Sequence, residues 1–121
     1  EEEHPELLRD GNNLIYNLFL SFPEITLGTT AEIPTAEGKV KVKIDAGTQP
    51  EKILRLRGKG VPDVNGYGKG DLLVRIHVWI PKKLNSEERR TLEKLMTSPG
   101  FQDGPSAEEK SFFEKMKDMF E

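Results

Sequence analysis

The segment DLLVRIHVWIP, Asp71 to Pro81, puts Leu72, Val74, Ile76, Val78 and Ile80 at every second position. Only an extended strand gathers a period of two onto one face. The same period runs from Asn13 to Phe22, where Leu14, Tyr16, Leu18, Leu20 and Phe22 are expected to point inward. In GKVKVKID, Val40, Val42 and Ile44 alternate with Lys39, Lys41 and Lys43, so this arm should be a hairpin strand with a charged outside. TTAEIPT precedes it across a short turn at Glu37-Gly38, and KILRLRG supplies one more short strand. Five strands separated by frequent turns predict a small antiparallel two-sheet β-sandwich, an all-β fold, at residues 13–84.

After Pro81 the period changes. Asn85 with Glu88 three residues on makes a helix cap, Leu92, Leu95 and Met96 follow at helical spacing, and Pro99-Gly100 ends the run. This helix, residues 85–98, is expected to pack on the sandwich. FQDGPS then forms a hinge, and Ser106 with Glu109 opens a second helix, residues 106–121. Its stripe of Phe112, Phe113, Met116, Met119 and Phe120 is large for so short a helix, which is marginal alone in water and must bury that stripe against something.

The chemistry open to the chain is narrow. Gly68-Lys69 is followed by Gly70 where a P-loop needs Ser or Thr, and Asp63 stands five residues before Gly68. A dinucleotide fingerprint fails as well, because Gly58-Lys59-Gly60 meets Asp63 where its third glycine belongs. The glycine-rich stretch is therefore expected to be a connection between strands. Asp63 and Asp71 should serve in turns, and His77 should be an ordinary strand histidine, with no acidic residue at ligand spacing. No catalytic and no metal-binding set emerges. With no cysteine, disulfides and cysteine zinc sites are excluded, and no apolar run near the length of a membrane span is present. A soluble, reducing compartment fits best. A net charge of −3 argues against a nucleic-acid surface in bulk, although Lys39, Lys41, Lys43, Arg55, Arg57 and Lys59 gather locally and keep a nucleic-acid-binding β-domain as the alternative. The opening EEEHPELLRDG lacks an initiator Met and is expected to continue something earlier.

Three stretches, HPELLRDGNNLIYNLFLSFPEITLG, IDAGTQPEKILRLRGKGVP and NGYGKGDLLVRIHVWIPKKL, carry a resemblance that runs from about His4 to Leu95. Their content and order resemble the C-terminal half of DnaJ-type J-domain co-chaperones. The resemblance implies the second of two β-sandwich client-binding domains, followed by a segment through which such proteins form V-shaped homodimers. Residues 1–12 would be the tail of the preceding domain, with His4 to Gly11 the strand leaving it. The J-domain's His-Pro-Asp is missing, since His4-Pro5 is followed by Glu6, and the Gly/Phe-rich linker and CxxCxGxG repeats are missing too. No cofactor is expected here, and any zinc would belong upstream. Leu7 stands where the family often has a pocket-lining Phe.

On this reading the chain is no enzyme. It is a cytoplasmic, client-binding and dimerising fragment of a protein that delivers unfolded polypeptides to DnaK, with no nucleic-acid or membrane partner. Clients are recognised by their own unburied apolar residues, so client contact falls on apolar side chains at outward positions: Ile15, Phe19, Leu73 and Trp79. The dimer interface falls on the stripe Phe112, Phe113, Met116, Met119 and Phe120.

Overall fold

A computed structural model describes residues 7–62 and 68–119. Asp63 and Phe120, singled out above, lie outside the described residues. Backbone contacts divide the chain into two units, Glu1–Ile80 and Pro81–Glu121.

The first unit holds two sheets. One has four strands in the order β1 (Leu7–Asp10), β2 (Asn13–Ser21), β6 (Leu72–Trp79), β5 (Ile53–Leu56), and the other is the hairpin of β3 (Thr29–Thr35) and β4 (Gly38–Ile44). The core lies between them: Leu14, Leu18 and Leu20 of β2 and Leu72, Val74 and Ile76 of β6 pack with Ile33 and Ile44 of the hairpin. These are the inward positions that the period of two marks out, so the two-sheet sandwich follows from burying one face of each strand.

Three expectations change. The sheet is mixed rather than antiparallel, because β2 and β6 pair in parallel, Leu14 opposite Leu72 through Ser21 opposite Trp79. Apolar period is the same in both directions and cannot set strand polarity; the detour through the second sheet does. The first long strand stops at Ser21, and Phe22 opens helix α1 (Phe22–Leu27), half-buried rather than in the core. Ser21 Oγ accepts from the N–H of Glu24, Glu24 Oε1 accepts from the N–H of Ser21, and Pro23 suits the first turn. That helix sends Ile25 into the core. Finally, Ile80 lies beyond the end of β6 and is 71% exposed.

Leu7 and β1 belong to this sandwich's own sheet: β1 pairs antiparallel with β2, and Leu7 is part of the core. The turn after β1 is clamped by the roots of the glycine-rich connection. The Asn12 carbonyl accepts from the N–H of Val61 at 2.8 Å, and a Cβ on Gly60 or Gly70 would sit 2.5 or 1.9 Å from that same oxygen. Glycine is required at both positions by this close approach of backbone to backbone.

The second unit contains α2 (Ser86–Met96), a 3-10 turn (Pro99–Phe101) and α3 (Ala107–Met119). Both capping boxes read from the sequence are present, Asn85 with Glu88 and Ser106 with Glu109. No residue of α2 is buried; Leu92 and Leu95 are half-buried, and Met96 is exposed.

Candidate functional site

The outer face of the four-stranded sheet carries an unusual load of apolar side chains. Strand register sets them in rows. Leu8, Ile15 and Leu73 lie side by side across β1, β2 and β6, with Arg55 of β5 closing the row. Asn17, Arg75 and Ile53 form the next row, then Phe19 with His77, then Ser21 with Trp79. All four outward residues picked from the sequence, Ile15, Phe19, Leu73 and Trp79, thus share one face. Phe19 is 62% exposed and Trp79 50%, whereas Ile15 and Leu73 are half-buried.

Leu8 and Ile53, absent from the residues expected at the client site, are also exposed on this face. Their signal was available: Leu8 follows inward-pointing Leu7, and Ile53 precedes Leu54 in a strand with period two. Beside Phe19, a shallow depression of about 380 Å³ is lined by Tyr16, Asn17, Leu18 and Phe19.

The middle of the face is polar and cross-braced. The Phe19 ring stacks on the His77 imidazole, centroids 4.9 Å apart with 21° between planes. His77 Nε2 lies 2.7 Å from Asn17 Oδ1. Its Nδ1 is 3.3 Å from Glu51 Oε2, and the other carboxylate oxygen of Glu51 is 3.1 Å from Arg75 Nη2. A carboxylate thus stands beside His77, brought by the fold from a turn far from it in sequence. It does not make a metal centre: among the described residues no cluster of three or more His, Cys, Asp or Glu could hold an ion. Glu51 has φ 71°, in the left-handed region, and its N–H donates to the Ile76 carbonyl at 2.8 Å. Holding a non-glycine residue there costs energy, which the Arg75 ion pair, the His77 contact and that hydrogen bond offset.

The glycine-rich connection is built from the other end of the sheet. Asp71 accepts from the N–H of Gly58 at 2.9 Å and pairs with Arg55 at 3.1 Å, while its own N–H donates to Asn13 Oδ1. Lys69 pairs with Glu37 at 2.9 Å, and this hydrogen bond and charge hold the Glu37 carboxyl below its ordinary range. The lysine that suggested a phosphate cradle is thus joined to the β3–β4 turn. The six basic residues do not form one face either. Lys39, Lys41 and Lys43 lie on β4, whereas Arg55 lies on β5 of the other sheet and is paired with Asp71.

On α3, Phe112, Phe113 and Met119 are exposed by 60%, 60% and 79%, and Met116 by 39%. Phe112 and Phe113 meet edge to face, 5.8 Å between centroids. No helix among the described residues is long and apolar enough to cross a membrane.

The family model described as DnaJ C terminal domain matches residues 1–81, the sandwich unit and little more. The chain belongs to this family. Among curated relatives, the chaperone protein DnaJ of Bacteroides thetaiotaomicron is 60% identical over 121 residues and that of Bacteroides fragilis 59%, both across 100% of this chain. The DnaJ of Salinibacter ruber is 45% identical across 99% of it. The match to these proteins reaches beyond the DnaJ C-terminal domain into the two helices. It covers only 30% to 31% of their own length, so the chain spans under a third of the relatives that it matches.

Proposed function

We propose that this DnaJ C-terminal domain holds unfolded polypeptide on the outer face of its four-stranded sheet, and that α3 joins two copies. The observation that carries the reading is the pair Phe19 and Trp79: two large aromatic side chains, each at least half exposed, on the same face of a rigid sheet. A soluble fold gains nothing by leaving such rings in water, and with Leu8, Ile15, Leu73 and Ile53 they set apolar side chains on both sides of the polar middle of that face, suited to extended segments with spaced apolar residues. Binding at each arm is weak, and linking two arms through a dimer raises the effective concentration of the second site. The protein acts without catalysis of its own. Within the full-length cytoplasmic protein, bound clients pass to a DnaK-type chaperone.

The test is Phe19→Ser combined with Trp79→Ser. Affinity for a permanently unfolded probe, reduced carboxymethylated lactalbumin, should fall by about tenfold, since two aromatic anchors are removed. The melting temperature should stay within about 3 °C, because neither ring belongs to the core. An unchanged affinity in a folded variant would sink the assignment of this face.

A further inference from the structure

The lysine strand β4 has a second, unused side. In the β3–β4 hairpin Pro34 stands opposite Lys39, Glu32 opposite Lys41 and Thr30 opposite Lys43. Proline has no N–H to give, so its pair is of the kind without hydrogen bonds across the two strands, and alternation extends this to the other two pairs. The far end of the hairpin agrees. The carbonyl oxygen of Ile44 lies 3.1 Å from where a Cβ on Gly28 would stand, hence it points toward β3. The backbone N–H and C=O groups of Lys39, Lys41 and Lys43 accordingly point away from β3. On that side no strand pairs with β4 among the described residues.

The same three residues carry the charge. Their side chains are exposed, share the outer face of the hairpin, and make no salt bridge among the described residues. Along the strand they stand at every second position, so the outer two are about 13 Å apart. The neighbouring acids do not cancel them: Glu37 is paired with Lys69, and Glu32 alone faces this row from β3. On the inner side Val40 and Val42 are only half-buried. The free edge of β3 offers the opposite: Thr30, Glu32 and a Pro34 that cannot donate.

We infer that the open edge of β4 takes an extended acidic peptide as an added strand, with Asp or Glu at every second position and apolar residues between. Its carboxylates meet Lys39, Lys41 and Lys43 as directly opposed cross-strand pairs, its backbone completes their hydrogen bonds, and its apolar residues cover the flank of Val40 and Val42. Lysines on a bare edge also discourage pairing with uncharged strands, so one feature rejects general aggregation and selects an acidic partner. This surface is separate from the aromatic face of the larger sheet, and its test does not depend on it.

The experiment uses the 121-residue chain and an acetylated, amidated peptide Thr-Glu-Val-Glu-Val-Glu-Thr. On peptide addition, amide hydrogen exchange at Lys39, Lys41 and Lys43 should slow by about tenfold or more, while Val40 and Val42, already bonded to β3, change little. Replacing the peptide's Glu by Gln should weaken binding by about tenfold or more, as should K39Q/K41Q/K43Q in the protein. Equal affinity for the Gln peptide, or binding with no protection at those three amides, would overturn the proposal. So would a single-stranded oligonucleotide that binds as tightly with the same lysine dependence, since the edge would then be a general polyanion surface.

Discussion

Gly70 shows how one residue closes the sandwich. Its backbone N–H donates to the Val61 carbonyl at 3.0 Å, its carbonyl accepts from Gly60, and its missing Cβ leaves room for the Asn12 carbonyl. Gly70→Ala should cost about 3 kcal/mol or more, because the colliding atoms are backbone and cannot turn aside. Gly68 has φ 99° with open space around it, so Gly68→Ala should cost only about 1–2 kcal/mol of left-handed strain. Urea midpoints of the two variants separate these cases, and an equal loss at both would show that the clamp on Asn12 is slack. In sequence the two glycines look alike and suggested only turn chemistry. What distinguishes them is the β1–β2 turn, over fifty residues earlier in the chain.

At the scale of elements, α1 depends on its cap. Ser21→Ala removes the acceptor for the Glu24 N–H and should destabilise by about 1 kcal/mol. The Glu24 carboxyl is held below its ordinary range by accepting first from the Ser21 N–H and then from the Ser21 hydroxyl. The folded state binds that proton less readily than the unfolded chain. Its contribution is therefore full above the ordinary glutamate value and is lost as pH falls through the lowered one. Glu24→Gln should flatten the acid side of the stability curve, and a comparison of urea midpoints at about pH 6 and pH 3 checks this. A slope as steep as that of the unaltered chain would assign the acid loss to other carboxylates. The Ser-Phe-Pro-Glu signal for this helix was present in the sequence, but apolar alternation through Phe22 masked it. A cap outweighs one more alternate residue, because it satisfies backbone groups that the strand would otherwise pair.

At the scale of the whole molecule, α3 makes the prediction on assembly. Phe112, Phe113, Met116 and Met119 leave much of their surface in water, and each is worth roughly 1.5–3 kcal/mol when fully buried. If two copies bury these stripes together, Phe112→Ser with Met116→Ser should raise the dimer dissociation constant sharply, and deletion after Gly104 should yield a monomer by analytical ultracentrifugation. An unaltered chain that sediments as a monomer at tens of micromolar, about where weak interfaces fill, would mean that the stripe has another partner. Most local order apart from α1 was legible: the period of two placed β2, β4 and β6, and capping boxes placed α2 and α3, because these signals act between residues a few positions apart. The gathering of Ile15, Phe19, Leu73 and Trp79 onto one face was partly legible, since outward positions follow from the same period. Only the tertiary structure decided that β6 runs parallel to β2 and that Glu51 reaches His77 and Arg75. Those outcomes rest on which strands become neighbours, and that choice is made by burial of both sheets at once rather than by any single segment.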